Sequence, residues 1–293
     1  MNKLKSNFFA LIFVTIACFL AVYMSFFITE GISNILSIDN KIQITELIPE
    51  TAVIDQETAG LMVILQFFCV LFIFGFIFLI FKYFDKQNNF FEFLGFQPHS
   101  IAMASFIVGA LLYTLGFWVA FVTSKIRIAK GDFPQGFENF YENYSVEVII
   151  LLVIYVIINA LWRELLFRAY LQTRFIATLG VLPGLFFSAA IFVMVHIIFR
   201  NLTTWEIVNY FTFFSLVGYF YHISKSIFAA TAFHAAANFW VLVYGANNEL
   251  LPPQFDRFFV FSSALIIAIA IFERKKNSKF IEFKKENSEE ISY

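Results

Sequence analysis

The chain has 293 residues, of which 60% are hydrophobic and 14% charged, and its formal net charge is −1. Soluble domains average roughly 45–50% apolar and about 25% charged residues, so this composition excludes an ordinary soluble domain. The near-neutral charge offers no basic surface for nucleic acid, and no nucleic-acid partner is expected. Several apolar runs exceed the roughly 18 residues that cross a bilayer. The predicted fold class is therefore all-α: a polytopic membrane protein with its transmembrane helices in one bundle.

About eight membrane spans are predicted along the chain. They lie at residues 8–28, 59–82, 101–123, 147–166, 180–199, 206–224, 226–245 and 256–272. The first apolar run is longer than the roughly 7–15 residues of a signal-peptide core, so we interpret it as a retained span. The chain divides into three parts. Residues 1–89 form an N-terminal transmembrane region with an acidic external loop, and residues 90–250 form a core that carries the polar sites described below. Residues 251–293 contain the last span and a polar tail.

Charge at the span ends predicts the orientation. The basic residues near span ends include Lys3, Lys5, Lys82, Lys86, Arg163, Arg168, Arg174, Lys225, Arg274, Lys275 and Lys276. With eight spans these all fall on one side, which the positive-inside rule makes cytoplasmic. The 30–57 loop is acidic and is predicted to lie on the external side. The 124–146 loop falls on the same side but carries three basic residues, which the positive-inside rule disfavours there. The predicted location is the plasma membrane (the inner membrane of a bacterium), with multiple passes and both termini cytoplasmic.

Polar side chains occur within three of the predicted spans, in the second half of the chain. Placing an ionisable group at the centre of a membrane helix costs roughly 2.5–3.5 kcal/mol on insertion scales, so each such residue is expected to have a functional or structural role. The first site covers residues 162–170 with Glu164 and Arg168, the second contains His196, and the third covers residues 234–238.

Helical spacing predicts which of these side chains share a face. Glu164 and Arg168 are four residues apart and can pair, and so are His234 and Asn238. Three alanines between His234 and Asn238 allow a neighbouring helix to approach closely. Glu164, His196, His234 and Asn238 could thus surround one interior cavity, where a carboxylate, two imidazoles and an amide suit water activation or metal ligation.

Each site also has a structural interpretation. A single histidine in a span is often only hydrogen-bonded to a neighbouring helix, and His234 with Asn238 can serve as interhelical polar contacts. Glu164 and Arg168 can form an ion pair at the cytoplasmic boundary, where an arginine side chain reaches toward water. Three such sites in order favour a functional cluster over three unrelated structural contacts.

These residues resemble the motifs of the CPBP family of intramembrane metalloproteases, which includes the type 2 CAAX prenyl endopeptidases and the bacterial Abi proteins. The family carries Glu-Glu-x-x-x-Arg, Phe-x-x-x-His and His-x-x-x-Asn on successive membrane helices. This sequence matches from Glu164 through Phe167 to Arg168, at Phe192 with His196, and at His234 with Asn238. The resemblance covers roughly residues 90–245.

The resemblance implies catalytic roles for Glu164, His196, His234 and Asn238, with Arg163, Phe167, Arg168 and Phe192 in support. In the family, the first Glu and the second-motif His activate water, and the third-motif His and Asn stabilise the oxyanion. This chain has Arg163 where the family has its first Glu. An arginine stays protonated and cannot act as a general base.

Two functions remain open from the sequence. In the first, Glu164 and His196 activate water in an intramembrane endopeptidase, and a divalent metal such as zinc held by Glu164, His196 and His234 is a variant of it. In the second, the fold is a pseudoprotease that acts as a membrane scaffold, chaperone or immunity-type binding protein. The expected partners are the lipid bilayer and a membrane protein or lipid-modified peptide, with the chain itself as a candidate subunit of a membrane complex. A transporter is less favoured, because no matching pair of broken spans is found.

Overall fold

The structure is a computed structural model that describes residues 15–16, 19–24, 27, 55–85, 89–96, 98–126, 144–199 and 202–245. Within these ranges the chain is helical and contains no strand, which confirms the all-α fold class. The helices are α1 Gln56–Ile80, α2 Phe90–Phe93, α3 His99–Ile126, α4 Val146–Glu164, α5 Thr173–Leu179, α6 Val181–Phe199, α7 Thr204–Ser224 and α8 Ile227–Gly245. Two π-helical segments, Phe81–Asp85 and Leu165–Gln172, continue α1 and α4.

The helices match the predicted polytopic membrane protein. Among the described residues, four helical segments are long and apolar enough to cross a membrane: Gln56–Tyr83, Ile101–Trp118, Val146–Leu179 and Val181–Ile198. A shorter apolar helix covers Ile227–Val243. The six predicted spans from 59–82 to 226–245 all fall on helices. The predicted span 8–28 is described only in part, and the predicted span 256–272, the polar tail and most of the acidic 30–57 loop lie outside the described residues.

The fourth span is longer than predicted. The sequence predicts its end near residue 166, where charged residues begin, but α4, the second π-helical segment and α5 form one continuous helical run, Val146–Leu179. All eight residues of Leu165–Gln172 are buried, so the charged end of this span lies inside the protein. The run ends at Gly180, whose φ of 87° suits a glycine and no longer permits the helix to continue.

Close backbone approach holds the centre of the bundle together. The most extensive helix–helix packing is between α3 and α8, while α1 and α8 both pack against α4. At Gly109 of α3 a β-carbon would overlap the carbonyl oxygen of Ala229 on α8, so the two backbones touch there. Small residues permit such contacts between membrane helices, where dispersion and packing drive association. This packing places the third polar site, on α8, beside the first, on α4.

Hydrogen bonds fix where α7 and α8 begin. Thr203 and Glu206 form a capping box at the start of α7: the Thr203 hydroxyl accepts from the Glu206 amide at 3.3 Å, and Glu206 accepts from the Thr203 amide at 2.7 Å. At the start of α8, Gly95 accepts a bond from the Ile227 amide at 3.1 Å. This bond ties the segment before α3 to the helix that carries His234.

The capping box gives a test of how α7 is held. Replacing Thr203 by Ala removes the hydroxyl that satisfies the Glu206 amide, and we expect the free energy of unfolding to fall by about 1 kcal/mol. Thr204→Ala is the matched control, because Thr204 is exposed at the first helical position and does not cap the helix. Reversible unfolding of both variants in detergent measures the difference, and equal stability of the two variants would contradict the capping role.

Candidate active site

The centre of the candidate site is a carboxylate–imidazole contact between α4 and α8. Glu164 Oε1 lies 2.7 Å from His234 Nδ1, although the two residues are 70 positions apart in sequence. The Glu164 side chain is fully buried and His234 is 1% exposed. Because a carboxylate oxygen accepts, His234 carries its proton on Nδ1, which leaves Nε2 as the basic nitrogen.

Arg168 completes the surroundings of this carboxylate. Its Nε lies 3.4 Å from Glu164 Oε2, and both side chains have no exposed surface, so the i,i+4 pair expected from the sequence is present. Arg168 Nη2 also donates to the carbonyl oxygen of Phe214 on α7 at 3.1 Å. Its guanidinium lies 5.3 Å from the ring centre of Phe192 and 5.5 Å from that of Phe214. The carboxylate is thus held between an imidazole and a buried cation.

Asn238 lies one turn beyond His234 on α8 and is 8% exposed. Its Nδ2 is buried and has no hydrogen-bond partner among the described residues. A buried amide donor without a partner costs free energy unless another group binds it. Its position makes it a candidate to donate a hydrogen bond to a group beside His234.

His196 on α6 is half-buried and lies among aromatic rings. Its ring stacks on Phe192 at 4.8 Å and on Tyr210 at 5.1 Å between centroids. Its Nδ1 lies 3.0 Å from the carbonyl oxygen of Phe192, so Nδ1 carries the proton here too. His196 and His234 both contact the rings of Phe192 and Phe214. The structure therefore places the two imidazoles around the same pair of phenylalanines, with His234 as the one bonded to Glu164.

The remaining predicted residues lie beside this cluster. Phe167 is 2% exposed, and its ring centre lies 4.5 Å from that of Phe192. Arg163 is half-buried, and its guanidinium lies 5.2 Å from the centre of the Trp162 ring. All eight residues named from the sequence thus lie on the neighbouring helices α4, α6 and α8 or on the π-helical segment between α4 and α5.

The contacts of Glu164 bear on the predicted metal ligands. One of its oxygens is bonded to His234 and the other faces a buried guanidinium, so a divalent cation would have to compete with these groups for the carboxylate. Within the described residues, no group of three or more His, Cys, Asp or Glu side chains is arranged to hold one ion. The set Glu164, His196 and His234 stays a prediction from the sequence.

Sequence reasoning missed two parts of this site. Phe214 contacts both imidazoles and accepts from Arg168, but nothing distinguishes it among the 44 phenylalanines. Gln66 on α1 accepts hydrogen bonds from Asn159 Nδ2 at 3.0 Å and from Trp162 Nε1 at 2.9 Å. An amide in the middle of an apolar run was a signal that could have identified Gln66.

Comparison with known proteins supports the resemblance. Residues 145–240 match the family model described as type II CAAX prenyl endopeptidase Rce1-like. This region contains all three polar sites, from Glu164 to Asn238. No curated protein and no solved structure matches the chain. The chain is thus a polytopic membrane protein whose residues 145–240 are similar to the type II CAAX prenyl endopeptidases.

Proposed function

We propose that this chain is an intramembrane endopeptidase of the CAAX-protease type, in which Glu164 and His234 form the pair that activates water. The observation that carries the proposal is the 2.7 Å bond between Glu164 Oε1 and His234 Nδ1 inside a fully buried site. A carboxylate that orients an imidazole and stabilises its protonated form is a recurrent way to make histidine a general base.

In this reaction His234 Nε2 takes a proton from water while the water oxygen attacks the peptide carbonyl carbon. Glu164 stabilises the imidazolium that forms, and Arg168 holds Glu164 in place. Asn238 Nδ2, which is buried without a partner, donates a hydrogen bond to the oxyanion. The tetrahedral intermediate then breaks its carbon–nitrogen bond, and the imidazolium returns the proton to the leaving amine. His196 supplies a second imidazole beside the same phenylalanines.

The substrate class follows from the location of the site. The cluster lies on two helical segments that are long and apolar enough to cross a membrane and on a shorter apolar helix, so the proposed substrate is a membrane protein or a lipid-modified peptide. We place the chain in the plasma membrane (inner membrane in a bacterium), with both termini cytoplasmic. The charges support this orientation, because Lys82 and Lys225 follow α1 and α7, whereas Asp55 and Glu57 lie at the start of α1.

A cleavage assay tests the proposal. The purified full-length chain is reconstituted and incubated with a library of membrane-anchored peptides, alongside His234→Ala and His196→Ala. We expect His234→Ala to lower turnover by about 100-fold or more, because it removes the proposed base. A larger loss in His196→Ala than in His234→Ala would instead support the pairing of Glu164 with His196.

Repeating the cleavage assay with a chelator distinguishes a metal-dependent reaction from the proposed one. No step in the proposal passes through a metal, so cleavage is expected to survive treatment with a strong chelator. Loss of cleavage that zinc alone restores would support the ligand set Glu164, His196 and His234 and would overturn the proposed pair.

A second candidate function is a pseudoprotease that binds membrane partners without cleaving them. Arg163 favours it, because a fixed positive charge stands where the family has its first Glu. Glu164 is also fully buried, with one oxygen bonded to His234 and the other facing Arg168. If the wild type is inert and Arg163→Glu alone gains turnover, this candidate is the better one.

A further inference from the structure

A buried hydrogen-bond network joins α1 to the first motif. Gln66, Asn159 and Trp162 are 5%, 3% and 3% exposed. Gln66 Oε1 accepts from both partners, at 3.0 Å from Asn159 Nδ2 and 2.9 Å from Trp162 Nε1. Gln66 lies outside the region that matches the family, so the N-terminal part of the chain takes part in holding the motif helix.

The network fixes the ring on which Arg163 rests. An indole that donates its only hydrogen to a buried amide oxygen has a defined ring plane. The Arg163 guanidinium lies 5.2 Å from the centre of that ring, in range for a cation–π contact. Arg163 is half-buried, whereas Glu164, the next residue, is fully buried. A cation with part of its surface open thus immediately precedes Glu164, a member of the proposed catalytic pair, on α4.

We propose that Arg163, held on the Trp162 ring by Gln66, is a specificity-determining residue that selects peptides with a carboxylate near the bond to be cleaved. The inference rests on the proposed function, because it takes the Glu164–His234 pair as the place where the peptide binds. A guanidinium presents five donors in a planar fork that matches a carboxylate, so it can add a substrate carboxylate to the contacts it already makes. Partial burial makes this attraction stronger than at an open surface.

Binding, measured without turnover, tests the proposal. The full-length protein in nanodiscs is titrated with fluorescent single-span peptides that carry Glu, Gln or Lys at successive positions along the segment next to the span. For at least one position we expect Glu to bind about fivefold or more tightly than Gln, and Lys to bind more weakly than Gln. Arg163→Gln should remove that preference, and Gln66→Leu should reduce it to about twofold or less.

The matched control is Asn159→Leu. It removes the other hydrogen bond to Gln66 Oε1 but leaves the bond from Trp162, so the preference for Glu should persist. Trp162→Phe keeps an aromatic ring without the N–H and should behave like Gln66→Leu, which provides a second variant should one of them fold poorly.

Several outcomes would overturn the inference. Equal binding of the Glu and Gln peptides by the wild type, or a preference that survives in Arg163→Gln, would remove Arg163 as its source. A preference that survives in both Gln66→Leu and Trp162→Phe would reject the positioning role of Gln66. Because peptide binding is read directly, a selective but inactive protein would retain this inference while rejecting the proposed cleavage.

Discussion

Replacing Glu164 by Ala is expected to abolish cleavage and to lower the free energy of unfolding by about 3–5 kcal/mol. The carboxylate is fully buried between His234 at 2.7 Å and Arg168 at 3.4 Å. Its removal leaves the guanidinium buried without its counter-charge and leaves the imidazole without its acceptor. Turnover of reconstituted protein and reversible unfolding in detergent measure the two effects separately.

Two further variants separate stability from catalysis. Glu164→Leu combined with Arg168→Met removes both charges together, and replacing a buried ion pair with apolar groups of similar size is often nearly neutral. This double variant should recover most of the lost stability and none of the cleavage. Glu92→Ala, which removes an exposed carboxylate on α2, should change neither. A double variant as unstable as Glu164→Ala would contradict the account of the buried pair.

Replacing Gly109 by Ala is expected to destabilise the fold by about 3 kcal/mol, from the addition of a single methyl group. The new β-carbon would overlap the carbonyl oxygen of Ala229. Because this oxygen belongs to the backbone, it cannot move away as the end of a flexible side chain can. The helices α3 and α8 would have to separate, and α8 carries His234. We therefore expect cleavage to fall along with stability.

Gly116→Ala is the matched control on the same helix. Gly116 is exposed, and a β-carbon there would meet no atom within 4 Å. Since Ala favours a helix over Gly, this variant should be as stable as the wild type or slightly more stable. Unfolding in detergent compares the two, and a Gly109 variant that matches the Gly116 variant would show that α3 and α8 do not meet at this point.

The helices could be predicted from the sequence because a bilayer permits few alternatives. Backbone groups in lipid must bond within their own segment, so a long apolar run becomes a helix. The end of the fourth span could not be predicted in this way. Charged residues from Arg163 to Arg174 indicated a helix end, but Arg168 pairs with Glu164, and Arg174 lies over the rings of Phe93 and Tyr170. Their burial depends on neighbouring helices, which local sequence does not describe.

The sequence predicts which residues belong to the candidate site but does not predict how they pair. Spacing within one helix predicts the Glu164–Arg168 contact, and the structure shows it. The bond from His234 to Glu164 joins helices 70 positions apart and depends on how α8 is turned against α4. From the roles in the family, the sequence predicts that Glu164 acts together with His196. The periodicity of polar residues in the two helices does not specify which imidazole faces the carboxylate. The catalytic roles of these residues remain predictions.

The second π-helical segment contacts α7 through main-chain atoms. Arg168 donates to the carbonyl of Phe214, and Gln172 Nε2 donates to the carbonyl of Gly218 at 2.9 Å. Every residue has a carbonyl, so substitutions on α7 leave both acceptors in place. Gly218 is the exception, since a β-carbon there would lie 2.5 Å from Gln172 Oε1. Over evolutionary time these two bonds can thus persist through most substitutions on α7, whereas a larger residue at Gly218 would disturb the Gln172 side chain that makes one of them.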